Sequence, residues 1–190
     1  MNLPNKLTVG RLVLTAVFLV VIFARVQYAA TIALVLFIVA SITDYFDGKI
    51  ARERKLITNF GILMDPLADK ILVCSAFIAF VERGFMPAWM VVVIVARELG
   101  ITGLRMLAAS KQQVLAAEGF GKHKTISQIT AIIAILVMAS LPEWPNAIAA
   151  GFNPWVAEFT WVAKWAALAL TVYSGSVYLW KNRQVFLQDL

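Results

Sequence analysis

Long apolar runs separated by short polar segments recur along the whole chain. A helix of about 20 apolar residues crosses a hydrocarbon core of about 30 Å, and the runs have roughly that length. The pattern predicts six membrane-spanning helices, at about residues 7–23, 29–43, 62–81, 87–107, 125–141 and 155–180. The second run is short unless its helix continues through the polar DYFDG that follows it.

Composition supports this prediction. The 190 residues are 61% hydrophobic and 15% charged, whereas soluble domains use about 45–50% apolar residues. The sequence is therefore expected to form one all-α, polytopic membrane domain over residues 1–190. We expect the first helix to be retained and not removed as a signal peptide, because no small-residue cleavage site follows it.

The basic residues indicate the orientation. An even number of spans leaves both termini on one side of the membrane, and most Lys and Arg residues fall on that side, whereas Arg25 and Arg83 fall on the other. The bias places both termini on the cytoplasmic side of the membrane. The formal net charge of +6 is then mainly a topology signal, with attraction to membrane lipids secondary. Nucleic acid binding is disfavoured, because no reader motif accompanies the charges.

Three connecting segments are predicted. Charged cytoplasmic loops are expected at about residues 49–59 and 110–124, and an interfacial turn on the opposite side at LPEWPNAIAAGFNPW. His123 is expected to be an exposed loop residue. Small residues on spans five and six are expected to pack either within one protomer or between two.

Four aspartates stand beside two of the apolar runs. Asp44 and Asp47 are three residues apart and Asp65 and Asp69 are four apart, so each pair shares one face of its helix. A short loop would make the two helices antiparallel neighbours and bring both pairs to one depth. Four carboxylates in a poorly hydrated place repel each other unless cations compensate them. The spacing therefore predicts a site at the cytoplasmic membrane interface.

The chemistry of the donors restricts the cation. Hard oxygen ligands without His or Cys select Mg²⁺, Mn²⁺ or Ca²⁺ over zinc, and two divalent ions would balance four carboxylates. Gly48, Ala51 and Gly61 leave room for a ligand near the backbone, and Arg52 can hold a phosphate in bidentate fashion. Paired divalent ions at such a site stabilise phosphoryl displacements.

The same aspartates could instead have a purely structural role. They could be polar helix ends near the interface, satisfied by water and by Lys49, Arg54 or Lys70. Two acidic pairs at helical spacing, with small residues on the same face, favour a functional site over this interpretation.

The segment DYFDGKIARERKLITNFGILMDPLADK, residues 44–70, resembles a known family. It matches without gap or substitution the pattern D-x2-D-G-x2-A-R-x8-G-x3-D-x3-D of the CDP-alcohol phosphatidyltransferases. The resemblance implies a six-helix membrane enzyme, usually a homodimer, that passes the phosphatidyl group of a CDP-linked lipid to an alcohol and releases CMP. It also implies the site residues. The metal ligands would be Asp44, Asp47, Asp65 and Asp69, the general base Asp69, and the CDP pocket Asp44, Asp47, Gly48, Ala51, Arg52 and Gly61.

Other segments resemble the bacterial members that use glycerol 3-phosphate as the acceptor. These segments are NLPNKLTVGR, ARELGITGLRMLAA, GKHKT and the final YSGSVYLWKNRQVF. The resemblance implies CDP-diacylglycerol as the donor and glycerol 3-phosphate as the alcohol. Phosphatidylglycerol and serine, which other members use, are the alternative acceptors.

Four basic residues suit a dianionic acceptor, namely Arg97, Arg105, Lys122 and Lys124. Glycerol 3-phosphate carries about two negative charges near neutral pH, so its pocket needs cations beyond the metals. Contact with lipid headgroups explains Arg105 equally simply, and topology anchoring explains the lysines. Arg97 lies deeper in its predicted span, where an unpaired cation is costly. Glu98 is expected to be a structural partner for a cation.

The remaining candidates are weaker. Asn5, Thr8 and Arg11 either border the nucleotide pocket or cap and anchor the first helix. Cys74 is expected to be a buried small hydrophobic residue. A divalent-cation transporter is the rival of another class, but no chain of acidic residues continues through the predicted membrane.

Overall fold

A computed structural model of the chain describes residues 3–53, 59–110 and 120–183. The side chains of residues 3–7, 44–53, 59–63, 65–66, 110, 120–122 and 147 lie outside that description. The described residues contain no strand and form six α-helices and one short 3₁₀ helix, so the all-α prediction is confirmed. These elements are α1 (Leu3–Phe23), α2 (Ala29–Glu53), α3 (Asn59–Glu82), α4 (Ala88–Ser110), α5 (Phe120–Ser140), the 3₁₀ helix Leu141–Glu143, and α6 (Asn146–Lys181).

The helices begin and end close to the predicted boundaries, with one informative extension. Helix α2 runs on through DYFDG to Glu53, which is the extension that the shortness of its apolar run left open. Of the cytoplasmic loop predicted for residues 49–59, residues 49–53 and 59 are therefore helical, and residues 54–58 lie outside the described residues.

Two predictions about connections are wrong. LPEWPNAIAAGFNPW is mostly helical, because α6 begins at Asn146 and continues through Pro154 to Lys181. Its Ala-rich stretch favours helix, and Pro145 stands just before the first helical residue, where its missing N–H costs nothing. Likewise, His123 is exposed as expected but lies in the first turns of α5, as does Lys124.

Contacts between helices show that successive helices alternate in direction. Helix α1 packs against α2 and α3, and α5 packs against α2 and α6. Side-chain pairs fix the relative directions: Gln128 on α5 contacts Thr171 on α6, while Thr160, earlier on α6, reaches Ala134, later on α5. The alternation brings the start of the odd-numbered helices and the end of the even-numbered helices to one end of the bundle.

The apolar core occupies the middle and the opposite end. It contains buried side chains from all six helices, including the ring pair Phe18 and Phe37, whose centroids are 6.0 Å apart. A second set of buried residues consists only of alanines on α5 and α6: Ala131, Ala134, Ala163 and Ala167. At this seam, small residues pack within the protomer.

The turn between α3 and α4 is specified locally. Gly84 has a φ of +72°, a conformation that glycine adopts without strain. The Phe85 N–H donates to the Phe80 carbonyl at 2.8 Å and the Gly84 N–H to the Val81 carbonyl at 3.0 Å, which is a Schellman ending. The Lys164 ammonium of α6 donates to the Phe85 carbonyl at 3.1 Å and ties α6 to this turn.

One segment within the described ranges, His123–Glu143, is apolar enough over a sufficient length to cross a membrane. Two shorter apolar helical segments, Thr8–Phe23 and Ala29–Thr43, accompany it. The six crossings and the cytoplasmic placement of both termini stay predictions.

Candidate active site

The end of the bundle where α1, α3 and α5 begin carries most of the predicted chemistry. Asp44 and Asp47 lie near the end of α2, and Asp65 and Asp69 lie near the start of α3. The backbone of both pairs is regular helix, as their predicted spacing assumes. The side chains of Asp44, Asp47 and Asp65 lie outside the described part of the structure. The same holds for the surroundings of the predicted CDP-pocket residues Gly48, Ala51, Arg52 and Gly61.

Asp69 is the aspartate of the motif whose side chain is described, and it pairs with α1. The Arg11 guanidinium donates through Nη1 to Asp69 Oδ1 at 2.7 Å. Arg11 is almost completely buried, with 1% of its side chain exposed, whereas 51% of the Asp69 side chain is exposed. A buried cation thus holds one edge of a carboxylate whose other side faces outward. Arg11 is thereby assigned to the acidic site and not to a lipid-facing surface.

A second polar group joins α4, α5 and α6 around Glu98, and we call it the Glu98 cluster. One carboxylate oxygen, Oε1, accepts from Lys124 Nζ at 2.5 Å, from Arg97 Nη1 at 3.3 Å and from Gln128 Nε2 at 3.3 Å. Gln128 also donates to Thr171 Oγ1 at 3.0 Å. Glu98, Lys124 and Gln128 are all buried. The expectation that Glu98 is a structural partner for a cation is confirmed.

The two arginines of α4 lie against α6. Arg97 Nη2 donates to Ser174 Oγ at 3.2 Å, and Arg105 Nε donates to the Tyr178 hydroxyl at 3.2 Å. The Arg105 guanidinium carbon lies 5.4 Å from the centroid of the Tyr178 ring, within the range of a cation–π contact. Both arginines therefore have fixed neighbours on one helix.

Lys70 connects the two polar groups. It follows Asp69 on α3, and its ammonium donates to Thr102 Oγ1 on α4. Thr102 in turn donates to the Glu98 backbone carbonyl at 2.7 Å. Sequence reasoning treated Lys70 only as a compensating cation for the aspartates. The sequence did show that Lys70 directly follows Asp69, and this adjacency could have indicated a lysine at the boundary between the aspartates and the Glu98 cluster.

The balance of charge in this region favours an anion. Among the described side chains, the Glu98 carboxylate accepts from Arg97 and Lys124, and the Lys70 ammonium lies near Glu98, Arg97 and Arg105. Lys124 and Glu98 neutralise each other, but the remaining cations exceed the negative charge. A ligand with two negative charges would compensate most of this excess. Arg97 and Lys124 are thus brought together as predicted, while the side chain of Lys122 lies outside the described part.

The acidic side of the site suits divalent metal ions. Its candidate ligands are carboxylates on two adjacent turns of α2 and of α3, and hard oxygen donors of this kind bind Mg²⁺ or Mn²⁺. The outward-facing Asp69 carboxylate keeps exposed surface despite its bond to Arg11, as a ligand to a bound ion requires. The residues therefore fit the implied metal.

Together, the two polar groups place a carboxylate site and a basic site at one end of the bundle, joined by Asp69 and Lys70. Carboxylates with divalent ions can hold a diphosphate, and the basic residues can hold a second phosphate. Such an arrangement can transfer a phosphoryl-type group between two phosphate-containing molecules.

Comparison with known proteins gives two kinds of similarity. Residues 1–173 match the family model described as CDP-alcohol phosphatidyltransferase. The chain is 40% identical to a CDP-diacylglycerol–glycerol-3-phosphate 3-phosphatidyltransferase of Bacillus subtilis, with 95% of each chain covered. It is 34% identical to a Rickettsia bellii protein of the same name, with 97% of each chain covered.

Proposed function

Because the chain belongs to the CDP-alcohol phosphatidyltransferase family, we propose that it transfers the phosphatidyl group of CDP-diacylglycerol to sn-glycerol 3-phosphate. The products are phosphatidylglycerol phosphate and CMP, so the chain is a phosphatidylglycerophosphate synthase of phospholipid biosynthesis. The names of relatives that align over nearly the whole chain support this choice.

The excess of cations around Glu98 carries the choice of acceptor. Glycerol 3-phosphate has a phosphate monoester with about two negative charges. Serine and phosphatidylglycerol lack a phosphate monoester and would bring less negative charge to Arg97 and Arg105. The proposed acceptor site therefore consists of Arg97, Arg105, Lys122 and Lys124, with Lys70 at its boundary with the aspartates.

Two Mg²⁺ or Mn²⁺ ions held by Asp44, Asp47, Asp65 and Asp69 would withdraw charge from the diphosphate and help CMP leave. Gly48, Ala51, Arg52 and Gly61 line the CDP pocket in this proposal. Arg11 orients the Asp69 carboxylate through the 2.7 Å bond to Oδ1.

Asp69 is the proposed general base. It takes the proton from the primary hydroxyl of glycerol 3-phosphate, and that oxygen attacks the phosphorus attached to diacylglycerol. The bond from this phosphorus to the oxygen shared with CMP breaks, and CMP leaves with that oxygen. The basic residues hold the acceptor phosphate and orient its hydroxyl toward the reacting phosphorus.

The exposed surface supports placement in a bacterial cell membrane. Large apolar side chains lie outward along the helices, among them Val20, Trp155 and Trp180, which are more than 70% exposed. Soluble proteins rarely expose extended apolar patches. The lipid tails of the donor then stay in the bilayer while its diphosphate reaches the polar end of the bundle. A homodimer stays a prediction of the family resemblance.

The test is CMP release by the purified protein with CDP-diacylglycerol and one acceptor at a time. We expect metal-dependent release with glycerol 3-phosphate, loss of release on chelation, and recovery with Mg²⁺ or Mn²⁺. Release with serine or phosphatidylglycerol and not with glycerol 3-phosphate would replace the acceptor. Absence of release with every acceptor under conditions that keep the protein folded would reject the enzyme.

A further inference from the structure

Gly175 of α6 lies directly against the side chain of Arg97 on α4. A Cβ atom built on Gly175 would lie 2.8 Å from Arg97 Cγ and 3.6 Å from Arg97 Nε. The arginine stem thus lies directly on the α6 backbone, and any side chain at residue 175 would displace it. By contrast, a Cβ atom built on Gly151 of the same helix would meet nothing within 4 Å.

Burial of the Arg97 side chain against α6 is costly for stability, which indicates that this arginine has a role other than stabilising the fold. Arg97 Nε is buried and has no hydrogen-bond partner among the described residues. A buried donor without an acceptor destabilises a fold, and a lysine or an apolar residue would avoid that penalty. The Arg97 guanidinium is therefore held in place although its Nε loses a hydrogen bond on burial.

Three residues of α6 share in fixing the arginines. Ser174 accepts from Arg97 Nη2, Gly175 supports its stem, and Tyr178 accepts from Arg105 Nε. Ser174 and Tyr178 are both buried, and they are one helical turn apart on the same face.

We propose that Ser174, Gly175 and Tyr178 are positioning residues that set the acceptor affinity by holding Arg97 and Arg105 in the geometry of a phosphate site. This inference rests on the proposed function, because it takes the arginines as ligands of the acceptor phosphate. Helix α6 then determines acceptor binding without touching the acceptor. Binding of CDP-diacylglycerol, which involves α2 and α3, does not depend on these contacts.

The main experiment compares Gly175→Ala with Gly151→Ala. We expect Gly175→Ala to raise the KM for glycerol 3-phosphate by about tenfold to a hundredfold, as displacement of a positioning group by about 1 Å does. The KM for CDP-diacylglycerol should change little. Gly151→Ala should match the wild type in both constants, since the new methyl group meets nothing.

Two further variants cover the case in which Gly175→Ala does not fold. Ser174→Ala removes one acceptor, with the exposed Ser176→Ala as its control, and Tyr178→Phe keeps the ring while removing the hydroxyl. Each of the two should raise the acceptor KM severalfold, and Ser176→Ala should not. Wild-type acceptor KM values in the folded variants would overturn the proposal while leaving the enzyme assignment intact.

A binding measurement separates failure of the inference from failure of the proposed function. Glycerol 3-phosphate should raise the melting temperature of the wild type, and Gly175→Ala should need about tenfold more of it for the same rise. If the wild type is stabilised in this way but turns over no acceptor, the positioning proposal stands and the activity is wrong. If the wild type is neither stabilised nor active with glycerol 3-phosphate, both are wrong.

Discussion

The carboxylate of Glu143 binds Thr31 at both its backbone and its side chain. Glu143 Oε2 accepts from the Thr31 N–H at 2.8 Å and from the Thr31 hydroxyl at 2.6 Å. Its other oxygen accepts from the Ala30 N–H at 2.8 Å, and the Trp144 indole donates to the Thr31 hydroxyl at 3.0 Å. Two N–H groups of the first turn of α2 are therefore satisfied by a residue more than 100 positions later.

This contact predicts a stability effect without a catalytic one. Glu143→Gln replaces one acceptor oxygen by an NH₂ group that faces backbone donors, and it removes a negative charge from a helix N-terminus. We expect the melting temperature in detergent to fall by about 2–6 °C, with substrate KM values unchanged. The exposed Glu158→Gln on α6 is the control. An unchanged melting temperature for Glu143→Gln would contradict the capping role.

Arg11→Met tests the buried guanidinium beside Asp69. Methionine keeps most of the stem and removes the bond to Asp69 Oδ1. The loss of a charge-assisted hydrogen bond should lower kcat for CMP release by about tenfold to a hundredfold. Arg25→Met, at an exposed arginine on the opposite end, should retain full activity. A normal kcat for Arg11→Met would show that Arg11 only anchors α1.

Asp69→Asn tests the proposed base. Asparagine keeps the shape of the side chain but cannot take a proton from the acceptor hydroxyl, so turnover should be largely abolished. Binding of CDP-diacylglycerol should stay detectable, measured as stabilisation against thermal unfolding. Near-normal turnover in this variant would remove Asp69 as the base.

Glu98 and Lys124 are suited to a double-mutant cycle. Their ion pair is buried, with Nζ and Oε1 2.5 Å apart, so removal of one partner leaves an uncompensated charge that costs about 3–5 kcal/mol. Glu98→Gln should therefore lower the free energy of unfolding more than the double variant Glu98→Gln with Lys124→Met. Additive effects of the two single variants would show that the pair is not coupled.

Arg97→Ala and Lys122→Ala test the acceptor site. Removal of a cation that binds a phosphate should raise the KM for glycerol 3-phosphate by about tenfold or more in each case. The KM for CDP-diacylglycerol should change less. Arg83→Ala, at an exposed arginine on the other end of the bundle, is the control. Unchanged acceptor KM values would favour an uncharged acceptor.

The sequence predicted where the helices lie but not which helices are neighbours. Apolar runs and polar interruptions were sufficient to place six helices, whereas the extension of α2 to Glu53 was only left open by the shortness of its run. The partners of each helix were not predictable, because residues facing the core and residues facing outward are equally apolar here. Phe18 is buried and Val20 is exposed, yet nothing in their character distinguishes the two positions.

In the candidate site, too, local features were predictable and contacts between helices were not. The spacing of the aspartates was readable from the sequence because it depends only on helical geometry. That Glu98 needed a cation was also predictable from the cost of a buried carboxylate. The identity of that cation, Lys124, was not predictable, nor were the hydrogen bonds of the arginines to Ser174 and Tyr178. These contacts depend on packing between residues more than 25 positions apart in sequence.

The aspartates lie on α2 and α3, whereas the basic residues Arg97, Arg105, Lys122 and Lys124 lie on α4 and α5. Under the proposed function, a gene duplicate of this enzyme can acquire a different alcohol through substitutions in the later half of the chain alone. The earlier half, with its nucleotide-lipid chemistry, is inherited unchanged. Specificity for the alcohol and chemistry on the donor could then change independently of each other in this chain.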